Sequence, residues 1–147
     1  MPKLDALFTS KLIILLKTFS VDELKGFERW LASPWCNSNK NLSKLLEKVS
    51  KYYPDFDNPK YTKEKLFKQI LPTGKYSDRR INNLLSEAFQ AAEKFIIFQR
   101  LSDDQQLQTD LLTQELQNRH LEYWFFKESD NEIARLEAKA IKDWEDH

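Results

Sequence analysis

The sequence predicts an all-α fold, a helical bundle of about seven helices ending in a long C-terminal helical hairpin. Three observations predict it. Apolar residues recur three and four apart along almost the whole chain, the spacing of one helix face, and no stretch alternates in the period of two that a half-buried strand shows. The chain holds only two glycines, Gly26 and Gly74. Its five prolines, at 2, 34, 54, 59 and 72, fall between the periodic stretches.

Each element follows from its pattern. A first helix over about residues 4–18 carries five consecutive apolar residues, "LIILL", more than one full turn, so it is expected at the centre with no side facing water. Ser20 and Glu23, three apart, form a capping box for a second helix over about 21–32, whose inner face is Val21, Leu24, Phe27 and Leu31. Ser33-Pro34 stops it. In the loop "WCNSNKN", Asn and Ser side chains can satisfy free backbone groups. A third helix, about 40–52, stripes Leu42, Leu45, Leu46, Val49 and Tyr53 until Pro54. Thr62 caps a short fourth helix bearing Leu66, Phe67, Ile70 and Leu71, which Pro72 ends. Ser77 caps the fifth, with Asp78 in its first turn, and its stripe from Ile81 to Ile96 continues to about 101. Ser102 with Gln105 reads as a further capping box, so a sixth helix is expected over about 104–127. Ser129 with Glu132 caps a seventh, carrying Ile133, Leu136, Ala140 and Trp144. Two regions result: a bundle domain at 1–101 and a hairpin extension at 102–147 packed on it. The last helix meets no stop signal before His147, so either a longer parent chain or a frayed end is expected.

Composition excludes several classes of function. Charged residues make up 31% of the chain, and the longest apolar run is five residues, so no membrane span is expected. The single cysteine, Cys36, has no internal disulfide partner, and no leader pattern opens the chain; a cytoplasmic protein is expected. Catalysis has little to build on. The two histidines, His120 and His147, lie far from Cys36 in sequence, and no HxxxH, CxxC or paired-carboxylate motif occurs. No catalytic residue, cofactor or metal is therefore expected, and Cys36 beside Trp35 reads as a small buried hydrophobe.

The stretch "LPTGKYSDRRINNLL" invites a phosphate-loop reading, but it has one glycine where such a loop needs several, and a helix rather than a strand before it. A nucleic-acid reading stands better. Residues 40–80 hold 11 Lys and Arg against 5 Asp and Glu. Lys63, Lys65, Lys68, Lys75, Arg79 and Arg80 can meet phosphates, and Asn82 or Asn83 can meet base edges. Against it stand the near-neutral chain and the long connector before Ser77.

Aromatic excess supports a different reading. "EYWFF" sets Tyr123, Trp124, Phe125 and Phe126 on four successive positions, more than one helix face can hold; "FIIF" at 95–98 raises the same question, and Trp144 adds another ring. Either neighbours sandwich these helices, or an apolar patch docks a partner protein, a second copy or a downstream helical segment. The charges are also divided: 18 basic and 11 acidic residues over 1–100, against 5 and 12 over 101–147. The expected function is a non-enzymatic protein–protein interaction or adaptor module, with nucleic-acid binding through the basic face of the third to fifth helices as the alternative.

Two resemblances bear on this. "SVDELKGFERWLASPW", "LLEKVSKYYPDFDNPKYTKEKLFKQI" and "YSDRRINNLLSEAFQAAEKFI" resemble the N-terminal region of uncharacterised all-helical proteins of Bacteroidota-type bacteria, which implies a bacterial origin and further helical sequence but no activity. "LIILLKTFSVDELKGFERWL", residues 12–31, is similar to the first two helices of Pyrin-type death-fold domains, which implies an adaptor that self-associates. The hairpin after Ser77 departs from that compact fold.

Overall fold

In a computed structural model of the chain, residues 7–121, 123, 134–136 and 138–139 are described; six α-helices and two 3-10 turns lie within 7–121, residues 123, 134–136 and 138–139 are also helical, and there is no strand among the described residues. A 3-10 turn at Leu7–Thr9 leads into α1 (Lys11–Leu16), α2 (Val21–Ala32) and α3 (Lys40–Val49); a second turn at Ser50–Tyr52 precedes α4 (Lys63–Ile70), α5 (Asp78–Asp103) and α6 (Gln105–Asn118). The protein is an all-α helical bundle, as the periodicity predicts. The chain divides into two compact units, Met1–Ile97 and Phe98–His147.

The first unit is built by its stripes. Ser20 and Glu23 make the full capping box: the Ser20 hydroxyl accepts from the Glu23 amide and the Glu23 carboxylate from the Ser20 amide, each at 3.1 Å. Thr62 and Ser77 accept from amides three residues on, both at 3.3 Å. Leu24, Phe27 and Leu31 of α2, Leu42, Leu45, Leu46 and Val49 of α3, and Leu66, Phe67 and Ile70 of α4 are buried in one core with Ile81 to Phe95 of α5. α3 packs against both α2 and α4.

Two aromatic clusters fix the packing. Phe95 lies 5.3 Å from Phe27, 6.0 Å from Phe19 and 6.2 Å from Trp30, ring centre to ring centre. A Cβ on Gly26 would stand 3.2 Å from Cζ of Phe95, so this glycine lets α2 approach the ring. Phe8, Tyr52 and Tyr61 form the second cluster, and the Tyr53 hydroxyl donates to the Phe19 carbonyl at 2.6 Å. The Tyr53–Pro54 peptide is cis.

Several expectations are corrected. The first helix is shorter than 4–18: the described chain starts with a separate 3-10 turn, and the Ser10 hydroxyl donates to the Leu7 carbonyl at 2.8 Å before α1 begins. Nor is α1 covered all round, because Ile14 is exposed while Leu12, Ile13 and Leu16 are buried. Val21 is also exposed, since as the first residue of α2 it lies beyond the stripe that Leu24 begins. The cap of α6 is Asp104, which accepts from the Leu107 amide at 3.0 Å, rather than Ser102. Above all, α6 ends at Asn118, nine residues before the expected 127. Leu121 donates to the Leu116 carbonyl at 2.8 Å and His120 to that of Gln117 at 3.0 Å, with His120 at φ 61°. This is a Schellman stop, in which histidine takes the left-handed place usually given to glycine.

Candidate interaction surfaces

The aromatic-excess reading rests on what lies outside the cores. In the first unit, the "FIIF" run divides: Phe95 is buried, whereas Ile96 and Ile97 are exposed, Ile97 to 66%. The run covers a full turn and the core stripe takes only one side of it. In the second unit, Phe98 is exposed, and so are Leu107, Leu111 and Leu112 of α6. The α6 leucines fall on two faces, since Leu107 and Leu111 are four apart and Leu112 and Leu116 are four apart, roughly 140° away at 100° per residue. Only Leu116 is buried in this helix.

Of the expected partner-binding aromatics, Tyr123 is 76% exposed and stands beyond the end of α6. Trp124, Phe125, Phe126 and Trp144 lie outside the described residues. Of the expected seventh helix, residues 134–136 and 138–139 are described and helical, and Leu136 is exposed.

The basic residues are displayed rather than buried. Lys65, Lys68, Lys75, Arg79, Arg80, Asn82 and Asn83 are exposed, and Lys63 is half-buried. Lys63 donates from Nζ to Oδ1 of Asn82 at 2.8 Å, joining the starts of α4 and α5 and occupying the oxygen that a base edge would need. Arg80 sits 5.8 Å over the Phe67 ring, and Lys68 pairs with Glu64 at 3.4 Å in an exposed contact. Lys60, Lys65 and Lys68 share one groove of about 390 Å³ with Tyr52, Asn58, Tyr61 and Gln69, and no carboxylate lines it. Sequence reasoning missed Lys60 because it sits outside the helix that carries the other two. Burial pushes the Tyr61 phenol up to about 12, the nearby Tyr52 adding to the rise, and its hydroxyl donates to Gln69.

A third surface was not foreseen. The loop between α2 and α3 leaves Trp35 97% exposed and Cys36 exposed, where the sequence reading has Cys36 buried. The correction has a local cause. The Asn37 side chain donates from Nδ2 to the carbonyls of Leu31 at 2.8 Å and Asn39 at 2.9 Å, so Asn37 turns inward and the two residues before it are left outside. The only signal available in the sequence was the Asn–Ser composition of the loop. Among the described residues, no group of three or more His, Cys, Asp or Glu could hold a metal ion, and no helix is long and apolar enough to cross a membrane.

Comparison of the chain with protein-family models, with curated proteins and with solved structures found no match.

Proposed function

We propose that this protein is a non-enzymatic protein–protein interaction or adaptor module of the cytoplasm, working without cofactor or metal. The observation that carries the reading is the large apolar side chains left outside the buried cores, among them Ile96 and Ile97 in the first unit and Phe98, Leu107, Leu111, Leu112 and Leu136 in the second. Helices that have filled their own core stripe and still carry isoleucine, leucine and phenylalanine on the outside gain from burying them against another chain. The likeness of residues 12–31 to Pyrin-type adaptors supports the same reading. A photo-crosslinking side chain placed at Ile97 and, separately, at Leu111 in living cells tests it. Discrete adducts are expected at both positions and not at exposed Lys17. An abundant, folded protein giving no adduct at either position sinks the reading.

A second reading, nucleic-acid binding, is favoured by the lysine groove beside Tyr52, since cations along a backbone track and an aromatic wall suit a single strand. Such binding releases counterions and weakens steeply with salt. Absence of any gel retardation of single-stranded or duplex oligonucleotides at about 50 mM salt removes it.

A further inference from the structure

We infer that Trp35 is the anchor of a symmetric dimer, in which each copy seats its indole in the groove beside the partner's own α2–α3 loop. The inference rests on the interaction-module reading and names the partner as a second copy of this chain.

Trp35 is the most exposed large apolar side chain among the described residues, at 97%. Its loop is already fixed. Besides the two bonds from Nδ2 of Asn37, Oδ1 of Asn37 accepts from the Asn39 backbone N–H at 3.0 Å, and the backbone N–H groups of Cys36 and Asn37 donate to the Ser33 carbonyl at 3.1 and 3.0 Å. A knob on a backbone held this way costs little further backbone ordering when it docks, which favours an aromatic hot spot.

The same loop borders a groove of about 550 Å³, where the apolar Leu31, Ala32 and Pro34 meet a polar lining that runs from Asn37 and Ser38 of the loop to Lys40, Ser43, Lys44 and Glu47. Trp35 does not line it, so its own indole leaves the groove open. Knob and groove thus belong to one loop. A two-fold axis passing beside that loop engages both knobs with both grooves at once, the self-complementary arrangement of a closed dimer. Lys40, Lys44 and Glu47 line the groove, and in the inferred dimer a charge pair between Lys44 of one copy and Glu47 of the other would fix the register. Two buried tryptophans supply roughly 300–500 Å². The groove lips then need to provide the rest of the roughly 1,200 Å² of a small specific interface.

Sedimentation of the full chain at rising concentration tests this, with Trp35→Ser, Lys44→Glu, Glu47→Lys and the Lys44→Glu/Glu47→Lys double variant. Because these side chains lie on the loop and groove lip, each variant should keep the helical circular dichroism of the parent, which is checked first. The intact chain is expected to form dimers. Trp35→Ser is expected to raise the dissociation constant at least about 30-fold. Each single charge reversal should weaken the dimer and the double reversal should restore it. A chain that remains monomeric at about 1 mM overturns the inference, as does a dimer indifferent to Trp35→Ser. If Ile97→Ser/Phe98→Ser abolishes a dimer that survives Trp35→Ser, the inference fails while the proposed function stands.

Discussion

α3 and α6 teach opposite lessons about how a leucine-bearing helix is held. α3 has ten residues and buries four, Leu42, Leu45, Leu46 and Val49, which fall on one stripe. α6 has fourteen and buries one, Leu116, because its leucines are split between two faces. The first helix is stabilised by tertiary burial. The second is held by local polar contacts. Asp104 caps its start and pairs with Arg100 at 3.5 Å, Gln108 donates to the carbonyls of Leu101 at 2.8 Å and Ser102 at 3.1 Å, and Arg119 closes on Glu115 at 2.8 Å. Exposed pairs of this kind contribute a few tenths of a kcal/mol each. A helix so held keeps its leucines available to something else.

The comparison breaks most visibly in the first unit's core. Phe27 is fully buried between Phe19, Trp30 and Phe95. Phe27→Ala is expected to destabilise that unit by about 3–5 kcal/mol, read as a shift in its urea midpoint. A loss below about 1 kcal/mol is incompatible with the packing described.

Gly26→Ala sharpens the same point. Alanine favours a helix interior by about 0.5–1 kcal/mol. Here the added methyl meets a Phe95 ring that three other rings enclose, and overpacking costs about 1–3 kcal/mol. A net destabilisation of about 1 kcal/mol is expected; a gain in stability means that Phe95 can yield.

These interior features were largely legible in the sequence, and the reasons are physical. A capping box is a local rule, so Ser20 and Glu23 reveal it three residues apart. Stripes of leucine report a buried face, so Leu42 to Val49 and Leu66 to Ile70 are placed without a structure. What stayed hidden depends on a choice between near-equal local states. Nothing in the letters says that His120 turns left-handed and ends α6, because glycine is the usual signal and is absent. Nothing says that Trp35 is outside, because large aromatics are generally well buried and only the inward turn of Asn37 expels this one. The basic groove was half legible, since Lys65 and Lys68 lie on α4 while Lys60 arrives from the loop.

Caps compare the two units directly. Ser20→Ala and Asp104→Ala each remove a side-chain acceptor from a helix start and are expected to cost about 1 kcal/mol. In the first unit the loss should appear as a lower unfolding midpoint with unchanged native helicity, because burial still holds α2. In the second it should appear as reduced amide-exchange protection along α6, where burial does not compensate. Equal effects on α2 and α6 exchange count against the contrast.

Alkaline titration gives a smaller handle on the Phe8–Tyr52–Tyr61 cluster. The Tyr61 phenol ionises at about 12 in the folded chain and near 10 when unfolded. Between those values the folded state keeps a proton that the unfolded state has lost, so this contribution to stability is full below pH 10 and declines as pH rises towards 12. Tyr61→Phe should remove that part of the alkaline decline, and one tyrosine of the intact chain should titrate last by ultraviolet absorbance.

The smallest effect on folding is expected from α6 itself. Leu107→Ser and Leu111→Ser replace side chains that water already reaches, so each should change the unfolding midpoint by no more than about 0.5 kcal/mol equivalent. The direction is set by helix propensity, since serine is a poorer helix former than leucine by a few tenths of a kcal/mol. Differential scanning calorimetry on dilute protein reads the change without interference from association. A loss of about 2 kcal/mol or more has to come from burial, and α6 then belongs with α3 among the helices held by a core. A near-zero change, together with loss in Leu107→Ser of the crosslink made by a probe at position 111, means that these leucines are kept for contacts outside the folded chain.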